Sequence, residues 1–296
     1  MTTAAHRAVP IASVRDLVSL AKPRITLMVL VTTAGGMWLA PGQRSGWVVA
    51  ITLFTTAAVV AAANSLNCYL ERDTDRLMRR TRNRPLPDRR MRPWVALLTG
   101  LGLGAFSVPA LWLGVNPLTG ALGALALASY VVVYTPMKQV SSSALLVGAL
   151  PGALPPLMGW TAATGEIAAP GLVLFAILFL WQIPHSLAIS IFRREEYEAA
   201  GLVVLPSVRG DHYARVQSAI YTLALFPVSL MLYPLGVAGP IYLVSALVLG
   251  VGFLALVLPG LRREAHPKWS RRVFVGSLVY LTALFVALVA GAATGI

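Results

Sequence analysis

Hydrophobic positions in this chain come in continuous runs rather than in stripes. From Ile25 onward, long apolar stretches recur, separated by short polar segments. A run of about 20 apolar residues matches the thickness of a bilayer when coiled as α-helix, whereas a transmembrane barrel alternates polarity over about 10 residues. Backbone in lipid has to hydrogen-bond to itself, which also favours helices. The pattern predicts nine spans: Ile25–Ala40, Gly46–Leu70, Trp94–Leu113, Pro117–Tyr134, Ser143–Thr164, Gly171–Phe192, Val216–Leu235, Pro240–Leu258 and Val273–Ala290. Ahead of them, "IASVRDLVSLAKPR" reads as a short amphipathic helix on the membrane surface, ending a cytoplasmic segment over residues 1–23. Met1 to Ala21 lacks an apolar core followed by a small-residue cleavage site, so no signal peptide is expected. No linker or low-complexity tract divides the chain, and residues 1–296 read as a single transmembrane domain.

Composition agrees: 57% of residues are hydrophobic, 12% are charged and mean hydropathy is +0.74, outside the range of soluble domains. The net charge of +13 raises nucleic acid as a partner, but its distribution argues against that. The N-terminus, Glu71–Pro93, Thr135–Ser142, Arg193–Arg215 and Pro259–Arg272 hold 4, 9, 1, 4 and 5 Lys/Arg, while the opposite side has only Arg44. That is the positive-inside pattern. It places the N-terminus in the cytoplasm and the C-terminus outside, so an odd number of spans follows; the membrane expected is a bacterial-type cytoplasmic (inner) one. Cys68 is the sole cysteine, so no intrachain disulfide forms. Glu71–Pro93 and Arg193–Arg215 each follow the second span of a block of four, begin with acids and end near a proline. This suggests two four-helix halves plus one extra helix.

Charge is densest in "NSLNCYLERDTDRLMRRTRNRPLPDRRMRP", Asn64 to Pro93. If the second span continues helically, Asn64, Asn67, Glu71 and Asp75 share one face and Asp73 points away. Carboxylates and an amide oxygen suit Mg²⁺, which takes its remaining oxygens from water and phosphates. Arg72, Arg76, Arg79, Arg80, Arg82 and Arg84 follow, and guanidinium groups grip phosphate oxygens bidentately. The segment is therefore either a topology-setting loop with acids paired to arginines, or a metal–diphosphate site. The polar stripe at helical spacing, starting inside the membrane, favours the second.

The sequence "NCYLERDTDRLMRRTRNRPLP" resembles the first motif of the UbiA superfamily of intramembrane prenyltransferases, and more closely that of its haem-farnesylating branch, the haem O synthases. Several ordered blocks carry the resemblance from about Ala21 to Gly210. The branch would have Asp where this chain has Glu71, one methylene longer. The resemblance implies Mg²⁺ held through Asn67, Glu71 and Asp75, and it implies that Glu71→Asp is tolerated. "KPR-(I/V)-T" is matched at Lys22–Thr26, where Lys22 and Arg24 are either snorkelling anchors or face the diphosphate. In "YTPMKQVSSSALLVGALPGALPPLMGWTAATG", Lys138 matches a lysine that would face the diphosphate, with Gln139 where the branch usually has Arg. Pro151, Gly152, Pro155 and Pro156 follow, and either line a cavity or allow close packing. "W-Q-x-P-H", with Trp181, Gln182 and His185, is similar to a signature of the haem branch. His185 follows the helix-kinking Pro184 and either bonds a freed carbonyl or contacts the acceptor, through a propionate or the iron. Where the wider superfamily carries a second D-x-x-x-D, this chain has Arg193 and Tyr197, which implies either a weaker second metal site or an arginine in place of a metal.

The resemblance implies an all-α fold around a lipid-accessible central cavity with a polar cap on the cytoplasmic side. The implied diphosphate set is Lys22, Arg24, Arg72, Arg76, Arg79, Arg82, Arg84, Lys138 and Arg193; the implied acceptor set is Trp181, Gln182, His185 and Tyr197. The implied reaction transfers a farnesyl group from farnesyl diphosphate to haem B, which is then substrate rather than resident cofactor. Haem A synthase or oxidase-assembly proteins are the implied partners beside the lipid bilayer, and nucleic acid is not one. Two alternatives stay open: a prenyltransferase acting on an aromatic quinone precursor, and an ion-coupled transporter using intramembrane polar groups.

Overall fold

The computed structural model describes residues 11–42 and 45–293, without side chains beyond Gly291. The first ten residues of the expected N-terminal segment, Arg44 and the last three residues lie outside the described set. No strand occurs among the described residues. The helices are α1 (Val14–Leu20), α2 (Pro23–Leu39), α3 (Gly46–Leu70), α4 (Pro93–Gly114), α5 (Pro117–Ala128), α6 (Thr135–Met137), α7 (Ala144–Thr164), α8 (Ala169–Phe192), α9 (Arg194–Ala199), α10 (Leu205–Leu230), α11 (Pro240–Val257) and α12 (Trp269–Ala293). A π-helical stretch, Ser129–Tyr134, joins α5 to α6.

Among the described residues, seven helical segments are long and apolar enough to cross a membrane, or up to eight if α1 and α2, bent by 47° at their junction, count together as one span. Together with the family relationship reported below, this makes the chain a multi-pass membrane protein. The expected seventh span is the exception. Val216–Leu235 is replaced by α10, which starts at Leu205, kinks at Gly210 and ends at Leu230. Asp211, His212, Arg215 and Gln217 in its first half lower its hydropathy. The expected loop Arg193–Arg215 is accordingly mostly helix, formed by α9 and the start of α10. Arg215 is buried and donates to the carbonyls of Gly260, Arg262 and Arg263, which satisfies acceptors beyond the end of α11.

The helices form a ring. α2 packs on α3, α3 on α4, α4 on α5 and α5 on α7; the second series runs α7, α8, α10, α11, α12; α12 returns to α2 and α8. The neighbour pattern of α2–α5 is repeated by α7, α8, α10 and α11. In lipid there is little hydrophobic drive between helices, so small residues that let backbones approach carry the packing. A Cβ on Gly36 of α2 would collide with the Pro156 carbonyl, and one on Gly159 of α7 with the Thr33 carbonyl. The outer surface keeps large apolar side chains exposed, Phe54, Leu113 and Val248 among them, as a lipid-facing surface requires.

Polar segments gather at one end of the bundle. Residues 71–92, the 138–143 turn and residues 193–204 bond to one another there: Val203 N–H donates to Lys138 O (2.9 Å), Arg80 N–H to Glu196 Oε1 (3.1 Å) and Gln139 Nε2 to Thr74 Oγ1 (3.1 Å). α1 is tied to this layer by its buried Asp16, which pairs with Arg90, while Ile11, Val14 and Val18 stay exposed. That is the arrangement of a helix lying on a membrane surface.

Candidate active site

The stripe read from the sequence survives, although the α-helix that was to carry it ends at Leu70. Glu71 is the C-cap of α3, and Asp75 lies in the 3₁₀ turn Thr74–Leu77. The bond from Asp75 N–H to Glu71 O (2.7 Å) keeps the helical spacing through the break. Asn67, Glu71 and Asp75 are buried and line one cavity of about 300 Å³, with Lys22, Arg80, Arg84, Tyr130, Tyr134, Lys138 and Tyr197 among its other walls. Asp73 is exposed and pairs with Arg72 and Arg76.

Within the cavity a polar chain runs between elements. Lys22 Nζ donates to Asn67 Oδ1 (3.2 Å), Asn67 Nδ2 donates to Glu71 Oε2 (2.8 Å), and Glu71 Oε1 pairs with Lys138 Nζ (2.5 Å). Asp75 Oδ2 accepts from Arg84 (2.6 Å). Two backbone features aim the lysines. Lys22, the N-cap of α2, has φ 47°, a left-handed conformation costing a non-glycine residue about 1–2 kcal/mol, of the kind that collects at functional sites. Lys138 follows the π turn. Pro136 has no N–H for an i−4 bond, and Thr135 donates both N–H and Oγ1 to Tyr130 O instead. The added residue per turn directs Tyr130, Tyr134 and Lys138 into the cavity. Burial alone would lower the Lys138 pKa, but Tyr134 and Glu71 outweigh it and hold the ammonium above its ordinary value.

One oxygen is left over. Asp75 Oδ1 is buried without a hydrogen-bond partner, a costly state for a carboxylate that a divalent cation would relieve. No group of three or more His, Cys, Asp or Glu able to hold a metal occurs among the described residues. Asn67 Oδ1, both Glu71 oxygens and Asp75 Oδ2 already accept from Lys22, Asn67, Lys138 and Arg84, so an ion at Asp75 Oδ1 would take most of its shell from phosphate and water oxygens, as Mg²⁺ does.

The cavity continues inward. A second, more apolar chamber of about 280 Å³ shares Ile25, Tyr130, Tyr134, Leu145 and Ser186 with the first. Val59, Ala63, Asn64, Ala126, Pro151, Gly152 and Gln182 are among its other walls. Both readings of the proline-rich helix hold in part: Pro151 and Gly152 line the chamber, while Pro155 and Pro156 are buried, with the Pro156 carbonyl tight against Gly36.

The remaining expected residues divide. Lys22, Arg84, Lys138 and Tyr197 reach the first cavity, as does Arg80. Arg24 and Arg82 are exposed and line no described cavity, Arg72 lies over the Tyr69 ring, and Arg76 pairs with Asp73. Arg79 and Arg193 line a separate cleft. The Trp-Gln-x-Pro-His block splits by helix face. Gln182 faces the apolar chamber. Trp181 Nε1 donates to Ser277 O (2.7 Å), and His185 Nδ1 bonds Ser277 Oγ (2.8 Å) while its ring stacks on Trp181 and lies tilted against Phe274. His185 thus bonds a hydroxyl of α12 rather than a carbonyl freed by Pro184. Tyr197 is set by the end of α9. Leu202 N–H bonds Tyr197 O and Gly201 N–H bonds Glu198 O, with Gly201 at φ 71°, a Schellman cap that favours glycine. The sequence reading missed Tyr130, Tyr134, Ser186, Ser190 and Ser277. Tyr130 and Tyr134 at i, i+4 before Pro136 were the available signal.

A ring of apolar helices closed at one end by a carboxylate–lysine–arginine layer, above a chamber for an apolar chain, is the arrangement of a membrane-embedded prenyltransferase. The chain belongs to the UbiA prenyltransferase family, whose model matches residues 29–279. A Myxococcus xanthus (strain DK1622) protein named protoheme IX farnesyltransferase is 55% identical over 273 residues, covering 92% of this chain and 93% of the relative. A protein of the same name from Anaeromyxobacter dehalogenans (strain 2CP-C) is 53% identical, covering 94% of each. Among solved structures, digeranylgeranylglyceryl phosphate synthase superposes with a TM-score of 0.81 at 16% identity, covering 94% of this chain and 98% of that one. A UbiA homolog from Archaeoglobus fulgidus bound to DMAPP and Mg²⁺ gives 0.69 at 16% identity, covering 93% and 99%.

Proposed function

We propose that this protein transfers the farnesyl group of farnesyl diphosphate to a vinyl group of protohaem IX (haem B), giving haem O and diphosphate. The observation that carries the prenyl half is the continuity of the two chambers, one lined by cations and carboxylates and the other apolar, meeting at Tyr130 and Tyr134. The acceptor is taken from the near-full-length relatives named for this reaction. Residues 1–296 act as one catalytic domain, with α10 as the ninth span, the polar layer on the cytoplasmic side of the inner membrane and the C-terminus outside. The excess of Lys/Arg in the segments on that side supports the orientation.

The diphosphate sits in the outer chamber with the farnesyl chain in the inner one. Lys22, Lys138, Arg80 and Arg84 neutralise the charge that grows on the departing diphosphate as the C1–O bond breaks. Asn67, Glu71 and Asp75 would hold Mg²⁺, which as a Lewis acid would lower the cost of that charge. Tyr130 and Tyr134 line both chambers where they meet, and aromatic rings there are suited to an allylic cation. The terminal vinyl carbon bonds to C1, and the electron pair of the broken bond leaves with diphosphate. Water then adds to the cation left beside the porphyrin and loses a proton, giving the hydroxyethylfarnesyl group. The apolar chamber excludes bulk water until that step.

Purified protein in lipid nanodiscs, supplied with farnesyl diphosphate, Mg²⁺ and haem B, should yield a farnesylated haem by mass spectrometry. Prenylation of hydroxybenzoate with no haem product would overturn the acceptor. Dissipation of an ion gradient without diphosphate release would overturn the enzyme reading.

A further inference from the structure

A second, larger cleft stands beside the diphosphate cavity. It measures about 1010 Å³ and is formed by the loop at Leu77–Arg80, the end of α8, α9, and the first turns of α10 and α12. Its charge is unbalanced. Arg79, Arg80, Arg193, Arg194 and Arg271 face three carboxylates, Glu195, Glu196 and Asp211, a surplus of two positive charges. Arg193 is held by Glu196 (2.8 Å) and Arg194 by Asp211 (3.1 Å). The side chains of Arg79, Arg80 and Arg271 have no ion pair among the described residues, and all three residues are exposed. Beneath this rim the cleft is apolar and partly aromatic, with Ile189, Phe192, Phe274 and Val275. The Phe192 and Phe274 rings meet edge to face at 5.8 Å. Phe274 is backed by His185 at 5.0 Å, so the Trp181–His185–Ser277 cluster stiffens this wall from behind.

A cleft with an apolar, partly aromatic wall, a rim of unpaired guanidinium groups and a net charge of two suits a ligand with a large apolar aromatic body and two carboxylates at one edge. Guanidinium groups take carboxylates bidentately and tolerate the partial exposure of such a rim. Arg80 and Ile189 belong to the walls of both this cleft and the diphosphate cavity, so they form the partition between them. We propose that this cleft is the acceptor site. The propionates of the tetrapyrrole lie on Arg79 and Arg271, and the opposite edge of the macrocycle, which carries the vinyl groups, points across the Arg80–Ile189 partition toward the prenyl diphosphate. This assignment rests on haem as acceptor and adds where it binds and how the reacting edge is chosen. It makes Arg79 and Arg271 acceptor-binding residues. It gives His185 a positioning role through Phe274, with no ligation of iron.

The test uses the full chain in zwitterionic nanodiscs, with the double variant Arg79→Gln/Arg271→Gln and the conservative pair Arg79→Lys/Arg271→Lys. Loss of two charge-assisted contacts should raise the KM for haem B at least about tenfold. The KM for farnesyl diphosphate should stay unchanged, which also reports that the variant is folded, and the lysine pair should recover most of the loss. Independently, fluorescence titration with zinc protoporphyrin IX should show binding weakened to a similar degree by the glutamine variants or by using the dimethyl ester. If farnesylated haem forms but neither KM nor porphyrin binding moves in the variants, and the ester binds like the diacid, the site is wrong and the reaction stands. If the wild type forms no farnesylated haem yet binds the porphyrin with the same dependence on arginines and carboxylates, the reaction is wrong and the site stands.

Discussion

Glu71→Asp separates what the family pattern implies from what this structure implies. The resemblance makes Asp the ordinary residue here, so the substitution should be harmless. The structure gives the opposite sign. Glu71 is the hub between Asn67 (2.8 Å) and Lys138 (2.5 Å), and both partners are anchored elsewhere, one in α3 and one after the π turn. Removing a methylene withdraws the carboxylate by about 1.5 Å, one C–C bond length, which takes both oxygens out of hydrogen-bond reach together. Each charge-assisted bond contributes about 1.5–3 kcal/mol. The loss is smaller than their sum, because Asn67 retains Thr135 Oγ1 at 3.3 Å and the Lys138 side chain, 19% exposed, can recruit water. A net loss of about 1.5–3 kcal/mol corresponds to about a 10- to 150-fold fall in kcat/KM for farnesyl diphosphate. Initial rates of diphosphate release in nanodiscs at saturating Mg²⁺ measure it, with thermal unfolding as a control for folding. A kcat/KM within about twofold of wild type would refute the argument, since the Glu71–Lys138 contact would then not organise the site.

Other outcomes follow from the same geometry. Asp75→Asn removes the charge from the buried oxygen that lacks a partner; turnover should fall about 10²–10³-fold with expression intact, and near-wild-type rates would remove Asp75 from the diphosphate site. Chelation should abolish diphosphate release, with recovery on adding Mg²⁺; release that continues in excess chelator would show that Asn67, Glu71 and Asp75 need no metal. Ala126 lies a turn of α5 deeper in the apolar chamber than Tyr130, so Ala126→Phe should exclude the end of the farnesyl chain. At about 0.8 kcal/mol per buried carbon, the preference should shift toward geranyl diphosphate by at least about a hundredfold in competition assays, and an unchanged ratio would place the chain elsewhere. Gly36→Leu drives a side chain into the Pro156 carbonyl and should destabilise the α2–α7 contact by about 1–3 kcal/mol or more, read as a lowered Tm in detergent; an unchanged Tm would mean that the two helices separate freely.

Much of the fold was legible because lipid simplifies the pattern. A span buried on every side, by protein or by hydrocarbon, needs only length and apolarity, and Gly46–Leu70 was placed to the residue. α10 was misplaced for the converse reason. Its first half carries Asp211, His212 and Arg215, which hydropathy assigns to water, yet Arg215 is buried against carbonyls supplied from beyond α11. Nothing local to Arg215 encodes those acceptors.

The site was legible along one helix and not across helices. Asn67, Glu71 and Asp75 share a face by spacing alone, and the backbone bond at Asp75 preserves that face after the α-helix has ended. The arginines after them have no such periodicity, because a loop directs each side chain by its own turn; only Arg80 and Arg84 reach the cavity. Helix faces also explain the Trp-Gln-x-Pro-His block. Its residues are adjacent in sequence but point in different directions, so Gln182 meets the prenyl chamber while Trp181 and His185 meet Ser277, a residue no motif had marked. A motif of consecutive residues on a helix is therefore two constraints, one on the cavity and one on the packing behind it. Here the second constraint holds Phe274, part of the wall of the arginine-rimmed cleft, so the histidine of the motif bears on that cleft through packing rather than by lining it.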